Sequence, residues 1–179
     1  MGRMADMQEL IEKPLSTEEL AARYRAMCDD PCFANVPGKV ELDVWGRVLM
    51  TPPPSAYHGL TQSRLDHKLR TVLGGEVITE APIVTWAGLF LADLAWLSPA
   101  YVAAQGIQTL LVPAPEICIE VVSPSNSVKE LSEKRDAYLA AGAEEVWLIY
   151  PKSKRCEFYG KQGLMEKSKY AIDFSGVFD

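Results

Sequence analysis

The 179 residues carry 48% apolar and 23% charged side chains, which suits one domain with a modest extension and excludes a wholly disordered chain. Twenty-four acidic against eighteen basic residues leave a formal net charge of −6, which excludes a globally basic surface built to hold polyanions by electrostatics alone. No apolar stretch reaches the roughly 20 residues needed to cross a bilayer, and Met1 to Asp6 is polar where a signal peptide has its apolar run, so no membrane association and a cytoplasmic location are expected.

Residues 1–15 have weak periodicity and are expected to form a flexible arm ahead of one domain over 16–179. Ser16 and Glu19 have the spacing of a capping box, and Leu20, Ala21, Tyr24 and Met27 recur at helical intervals, predicting a helix over about 17–28. Alternation over 40–45, a turn at Gly46-Arg47 and Val48-Leu49-Met50 predict a hairpin. The stiff run Pro52-Pro53-Pro54 interrupts the chain before a helix over about 58–73, whose apolar side is expected to comprise Leu60, Leu65, Leu69 and Val72. Two short strands are expected at about 76–80 and 82–86. Phe90 to Leu97 and Glu116 to Val122 are nearly continuous apolar runs of the kind found in the middle of a doubly covered sheet.

Residues 98–115 read as a loop with room for a short helical turn. Ser127 and Glu130 repeat the capping-box spacing before a helix that Gly142 ends. Strands at 145–150 and 155–159 follow, with a last one near 166–172. The sum is a mixed central sheet flanked by helices, containing a strand–helix–strand unit over 116–150. Of the four cysteines, Cys28 and Cys32 lack the further ligands a zinc site needs, and Cys118 reads as a small buried hydrophobe.

Each of the two central apolar runs contains one acid, Asp93 and Glu120. Burying a carboxylate is unfavourable unless it is hydrogen-bonded, paired or metal-bound. Two such acids facing each other across a sheet would share a hard cation, since Mg²⁺ accepts carboxylate, carbonyl and water oxygens. An acid at a strand end facing water is the competing reading for Asp93. Ser123 to Ser127 leads from the strand into the capped helix, placing Lys129 and Lys134 near the strand's C-terminal end, where open α/β sheets form sites. Lys134 there would stabilise developing charge on a phosphate or orient the attacking water; the competing reading, preferred from the residues alone, is a solvated helix lysine paired with Glu130. Glu41 is either an acidic ligand or an exposed hairpin residue, and His58 either a group touching phosphate or an ordinary helix-cap histidine. Trp96, Trp147 and Tyr138 read as core.

Glu120-Val121-Val122-Ser123-Pro124-Ser125, Glu133-Lys134-Arg135-Asp136-Ala137-Tyr138, Gly142 and Glu145 to Pro151 closely resemble the Uma-type restriction endonuclease family, long catalogued as a domain of unknown function and assigned to the PD-(D/E)xK nuclease superfamily. Glu41-Leu42-Asp43, Gly46, Pro52-Pro53-Pro54, His58 and Ala92-Asp93 extend the resemblance across about residues 16–173. It implies an α/β, restriction-endonuclease-like core and a Mg²⁺- or Mn²⁺-dependent phosphodiesterase acting on DNA. It further implies Asp93 and Glu120 as metal-binding acids, the Val121 carbonyl as a further ligand, Glu41 as an upstream acid and Lys134 as a catalytic lysine relocated to the following helix.

The sequence departs from the family pattern at Ala92, where proline is usual, and at Val122, where the superfamily lysine is usual. An interaction protein on the same fold and a hydrolase of small phosphorylated substrates remain alternatives. Cutting both strands of a duplex would favour a homodimer. A DNA cleft would be open and lined by basic residues such as Arg64, Lys68, Lys129 and Arg135.

Overall fold

The computed structural model describes residues 13–33, 36 and 38–179. Most of the expected arm therefore lies outside the described residues; at its end, the Leu15 N–H donates to the Val44 carbonyl at 2.8 Å. Helix α1 spans Thr17–Cys28, with the expected capping box formed by Ser16 and Glu19. Strands β1 (Lys39–Asp43) and β2 (Val48–Thr51) form the expected hairpin. Its turn needs Gly46, whose φ of +75° is open to glycine at little energetic cost.

Helix α2 (Ala56–Leu73) is capped by Ser55 and starts two residues earlier than expected. Its buried side also differs. Leu65 and Leu69 enter the core, but Leu60 and Val72 are exposed, and the polar Thr61 and Gln62 are buried. The reason is local: α2 crosses the sheet over a polar region, where Gln62 Nε2 donates to the Asp93 carbonyl at 3.0 Å and to Glu80 Oε1 at 3.3 Å.

The two strands expected over 76–86 are one long strand, β3 (Glu76–Thr85), which pairs antiparallel with β4 (Gly88–Leu97). Both change face at the same level. On β4, Phe90, Ala92, Ala95 and Leu97 join one core cluster while Leu94 and Trp96 join another, so the alternation slips by one residue at Asp93. On β3, Glu80 adopts φ +50°, a conformation disfavoured for a residue with a side chain.

Helix α3 (Pro99–Gln105) is the short helix in the connecting segment. Strand β5 (Ile117–Val121), helix α4 (Val128–Ala141) and strand β6 (Glu145–Tyr150) form the expected strand–helix–strand unit, with β5 and β6 parallel. Strands β7 (Arg155–Gly160) and β8 (Gly163–Met165) close the order β2-β1-β4-β5-β6-β7-β8, with β3 on the other edge of β4. The last strand is thus earlier and shorter than expected. Tyr170, Ile172 and Phe174 alternate like a strand but pack across the sheet face, Tyr170 against Trp96 and Phe174 against Trp147. Buried Glu145 anchors that segment by accepting from Ser168 Oγ at 2.7 Å and the Lys169 N–H at 2.9 Å.

One core lies beneath α4, around Cys118, Tyr138 and Leu148; a second lies beneath α2, around Leu94, Ile119 and Trp147; a third lies beneath α1. The whole is an α/β fold whose eight-stranded mixed sheet is flanked by helices in the restriction-endonuclease-like arrangement. Among the described residues, no helix is long and apolar enough to cross a membrane.

Leu94 is fully buried whereas Val128 is 83% exposed. Leu94→Ala is expected to lower stability by about 2–5 kcal/mol, and Val128→Ala by less than about 0.5 kcal/mol. Urea unfolding of the two variants checks this contrast.

Candidate metal centre

Strand β4 is paired along one edge by β3. On its other edge it pairs with β1 only at Leu89 and Gly88, and with β5 only at Leu94 to Trp96. Between these contacts β1 and β5 diverge like the arms of a fork. The backbone of β4 in the gap needs hydrogen-bond partners, because buried peptide groups are rarely left unpaired. Side chains from the arms supply them: Glu41 Oε1 accepts the Leu91 N–H at 2.7 Å, and Lys39 Nζ donates to the Leu91 carbonyl at 3.3 Å.

Asp93 and Glu120 meet across this fork. Continuing the β4–β5 register places them opposite one another, one step beyond the last paired residues. Asp93 is 3% exposed and Glu120 5%. Asp93 Oδ2 accepts the Val121 N–H at 2.6 Å, replacing the β4 backbone that has drawn away. Its Oδ1 forms an ion pair with Lys39 and lies 3.3 Å from His58 Nε2. The His58 nitrogen makes no hydrogen bond in the observed geometry. Glu120 Oε1 accepts from Tyr138 Oη at 2.8 Å and lies 3.8 Å from Lys134 Nζ.

Lys134 is not the solvated, Glu130-paired lysine its helix spacing predicts. It is 6% exposed and points inward from α4, with Nζ 2.7 Å from Glu41 Oε1. Glu41 is likewise buried, not an exposed hairpin acid. Tyr138 belongs to the core as expected, but its hydroxyl also holds Glu120. Val122 is half-buried against the core beneath α4. Cys28 and Cys32 are exposed free thiols, and Cys118 is buried.

The acids respond oppositely to burial. For Asp93, burial opposes ionisation, but the His58 contact and the Lys39 charge outweigh it and hold the carboxyl below the usual range. For Glu120, burial dominates; Lys134 and Lys39 offset it only partly, Asp93 and Glu41 add to it, and the carboxyl is pushed up to about 7. Burial alone would lower the Lys134 ammonium, yet Glu120 and Glu41 raise it, so it stays charged.

These side chains border a cleft of about 230 Å³, walled by the proline run on one side and by Ser123 to Asn126 on the other. Glu41 lies behind Lys134 in a neighbouring hollow. The basic residues expected along a DNA cleft are absent from its lining. Arg64 bonds C-terminal carbonyls, Lys68 lies 3.9 Å from Asp173, Arg135 packs on Asp136 and Tyr159, and Lys129 is exposed on α4.

Sequence reading missed Lys39 and Glu80. Lys39 sits two residues before Glu41, on the same side of β1, which is a signal in principle. Glu80 falls opposite Asp93 in the β3–β4 hairpin, between the Thr79–Leu94 and Ala81–Ala92 pairs, at the point where the sequence predicts two separate short strands. Among the described residues, no group of three or more His, Cys, Asp or Glu side chains is arranged to hold a metal ion. What the fork offers is a pair of carboxylates. Such a pair suits Mg²⁺ or Mn²⁺, which are commonly held through one or two carboxylates, with waters and substrate oxygens completing the shell.

The sequence profile of the Uma2 family, described as "Putative restriction endonuclease", matches residues 21–173. Among solved structures, the fold is similar to "a putative nuclease belonging to DUF820" from Anabaena variabilis ATCC 29413, with a TM-score of 0.64 and 17% identity over 86% of each chain. A comparison with curated proteins finds no match.

Removing Lys134 leaves Glu41 and Glu120 without their ammonium. Lys134→Ala is therefore expected to lower stability by about 3–5 kcal/mol. Lys134→Met combined with Glu41→Gln should recover more than half of that loss in urea unfolding, because Gln still accepts the Leu91 N–H.

A second expectation concerns pH. The folded state holds a proton on Glu120 up to about pH 7, whereas the unfolded chain releases it near 4.5. Glu120's contribution to stability is thus fully present below about pH 4.5 and is lost as pH rises to 7. Between pH 5 and 8, metal-free Glu120→Gln should show a flatter decline of unfolding midpoint than the parent protein.

Proposed function

From the premise that this chain belongs to the Uma2 family, we propose that it is a Mg²⁺- or Mn²⁺-dependent endonuclease that hydrolyses phosphodiester bonds in DNA, with Asp93 and Glu120 as its metal-binding acids. The observation that carries this reading is the meeting of these two buried carboxylates at the point where β1 and β5 part, on the wall of an open cleft. Charge supports it. Asp93, Glu120, Glu41 and Glu80 surround the ammonium groups of Lys39 and Lys134, leaving two excess negative charges when every carboxyl is ionised. Burial of that excess is unfavourable in metal-free protein and is neutralised by one divalent cation.

When bound, the ion would supply an activated water and stabilise charge on the phosphate. The protein's own groups do the rest. Asp93 is held in one orientation by the Val121 N–H, and Glu120 by Tyr138 Oη, so both carboxylates are positioned before a ligand arrives. The Val121 carbonyl lies at the same strand end and is a further candidate ligand. Glu41 acts one step back, fixing Lys134 and the Leu91 backbone. Lys134 presents a permanent positive charge beside Glu120, where the lysine absent from position 122 would otherwise act on the phosphate. His58 borders the same cleft and is suited to orienting water or phosphate.

A second reading, an interaction protein on the same fold, is favoured by Val122 and by the lysines already engaged with the acids. Calorimetry with Mn²⁺ separates the two. The parent protein should give a binding isotherm that Asp93→Ala/Glu120→Ala abolishes, and should nick plasmid DNA only with added Mg²⁺ or Mn²⁺. A folded parent protein that binds neither ion would leave the interaction reading in place.

A further inference from the structure

We propose that the Lys39 ammonium is the resident counter-cation of this centre, seated in an oxygen cage that a divalent ion must share or take over, so that metal binding exchanges one cation for another and Lys39 sets the affinity. This inference rests on the metal-centre reading above.

The geometry of the cage carries it. Lys39 Nζ contacts Asp93 Oδ1, lies 3.0 Å from Glu80 Oε2 and lies 3.3 Å from the Leu91 carbonyl oxygen. The ammonium donates hydrogen bonds to Asp93 Oδ1 and the Leu91 carbonyl and meets Glu80 Oε2 as an ion pair, so three oxygens surround it. Two carboxylates and a carbonyl are also the hard oxygen donors that Mg²⁺ and Mn²⁺ accept. One of these oxygens belongs to Asp93, the better oriented of the two proposed ligands. A divalent ion on Asp93 Oδ1 and the Lys39 ammonium would therefore compete for the same lone pairs and repel each other at close range.

Two further features fit a cage built around a cation. Glu80 holds φ +50° where its side chain reaches Lys39, and backbone strain of this kind persists only where surrounding contacts compensate it. Its Oε2 is buried without a hydrogen bond and meets the Lys39 charge, while Oε1 takes the Gln62 amide. Without a cation there, Glu80 Oε2 would lose its one counter-charge and Asp93 Oδ1 would keep only His58 beside it. Lys134 differs: it is held by Glu41 from the far side of Glu120 and makes no contact with Asp93. Lys39 is the first residue of β1 and borders the open cleft, so its flexible stem has space into which to withdraw the ammonium.

Mn²⁺ calorimetry on the parent protein, Lys39→Gln and Lys39→Met tests the exchange, with the exposed Lys167→Gln as a control for net charge. Both Lys39 variants should bind Mn²⁺ about tenfold more tightly or better, and Lys167→Gln should match the parent. In EDTA the Lys39 variants should melt below the parent, and Mn²⁺ should raise their melting temperature by more than it raises the parent's. A merely structural lysine would not tighten metal binding when removed. Lys39 variants that fold and bind Mn²⁺ no tighter than the parent would overturn the exchange and leave the metal centre standing. Folded proteins that bind no Mn²⁺, with or without Lys39, would overturn both. Should the variants unfold in EDTA, refolding on Mn²⁺ addition supports the exchange, and failure to refold counts against it.

Discussion

Everything at the centre of this protein depends on a sheet that forks. Strand β4 is fully buried along its length, yet one of its edges is paired only at its two ends. A gap of this kind inside a sheet exposes backbone donors and acceptors where water is scarce, and the fold closes it with side chains. Glu41 and Lys39 satisfy Leu91, and Asp93 takes the Val121 N–H. The residues that satisfy the backbone are thus the same residues that gather charge at the cleft. Structure and candidate chemistry are inseparable here because one set of hydrogen bonds serves both.

Electrostatics makes the same point. Four carboxylates and two lysines from β1, β3, β4, β5 and α4 converge, with His58 of α2 beside them, in a region mostly shielded from solvent. Each lysine is held charged by carboxylates, and each carboxylate is oriented by a lysine, a backbone N–H or the Tyr138 hydroxyl. The two central acids end with opposite tendencies: Asp93 is held ionised by His58 and Lys39, while Glu120 is driven towards neutrality by burial. A buried network of this type is a weak source of net stability. Its value lies in orientation, since every member is fixed by at least one partner that is itself fixed.

The surroundings are arranged to bring these groups together. The face change shared by β3 and β4 at Glu80 and Asp93 interrupts the apolar alternation and opens room for polar side chains between two hydrophobic cores. Helix α2 follows suit, turning Gln62 rather than an apolar residue towards that level. Helix α4 delivers Lys134 and Tyr138 from successive turns, Lys134 between Glu41 and Glu120 and Tyr138 onto Glu120.

The sequence by itself determined the parts whose physics is local. Capping boxes at Ser16 and Ser127, the hairpin at Gly46 and the buried runs around Asp93 and Glu120 are written in spacings of two to four residues, and each forms as expected. Asp93 and Glu120 stood out because an acid inside an apolar strand demands a partner wherever the strand goes. Tertiary structure decided who the partners are. Lys39 and Glu80 are 54 and 13 positions from Asp93 and Lys134 is 93 from Glu41; the β3–β4 pairing brings up Glu80, and the forked register brings in the others. It also decided that Lys134 turns inward although its helix spacing offers Glu130, and that residues 166–172 cover the sheet instead of extending it. Alternation and helical spacing specify which side of an element a residue occupies, while what that side meets depends on strand order, register and face changes set by the whole chain.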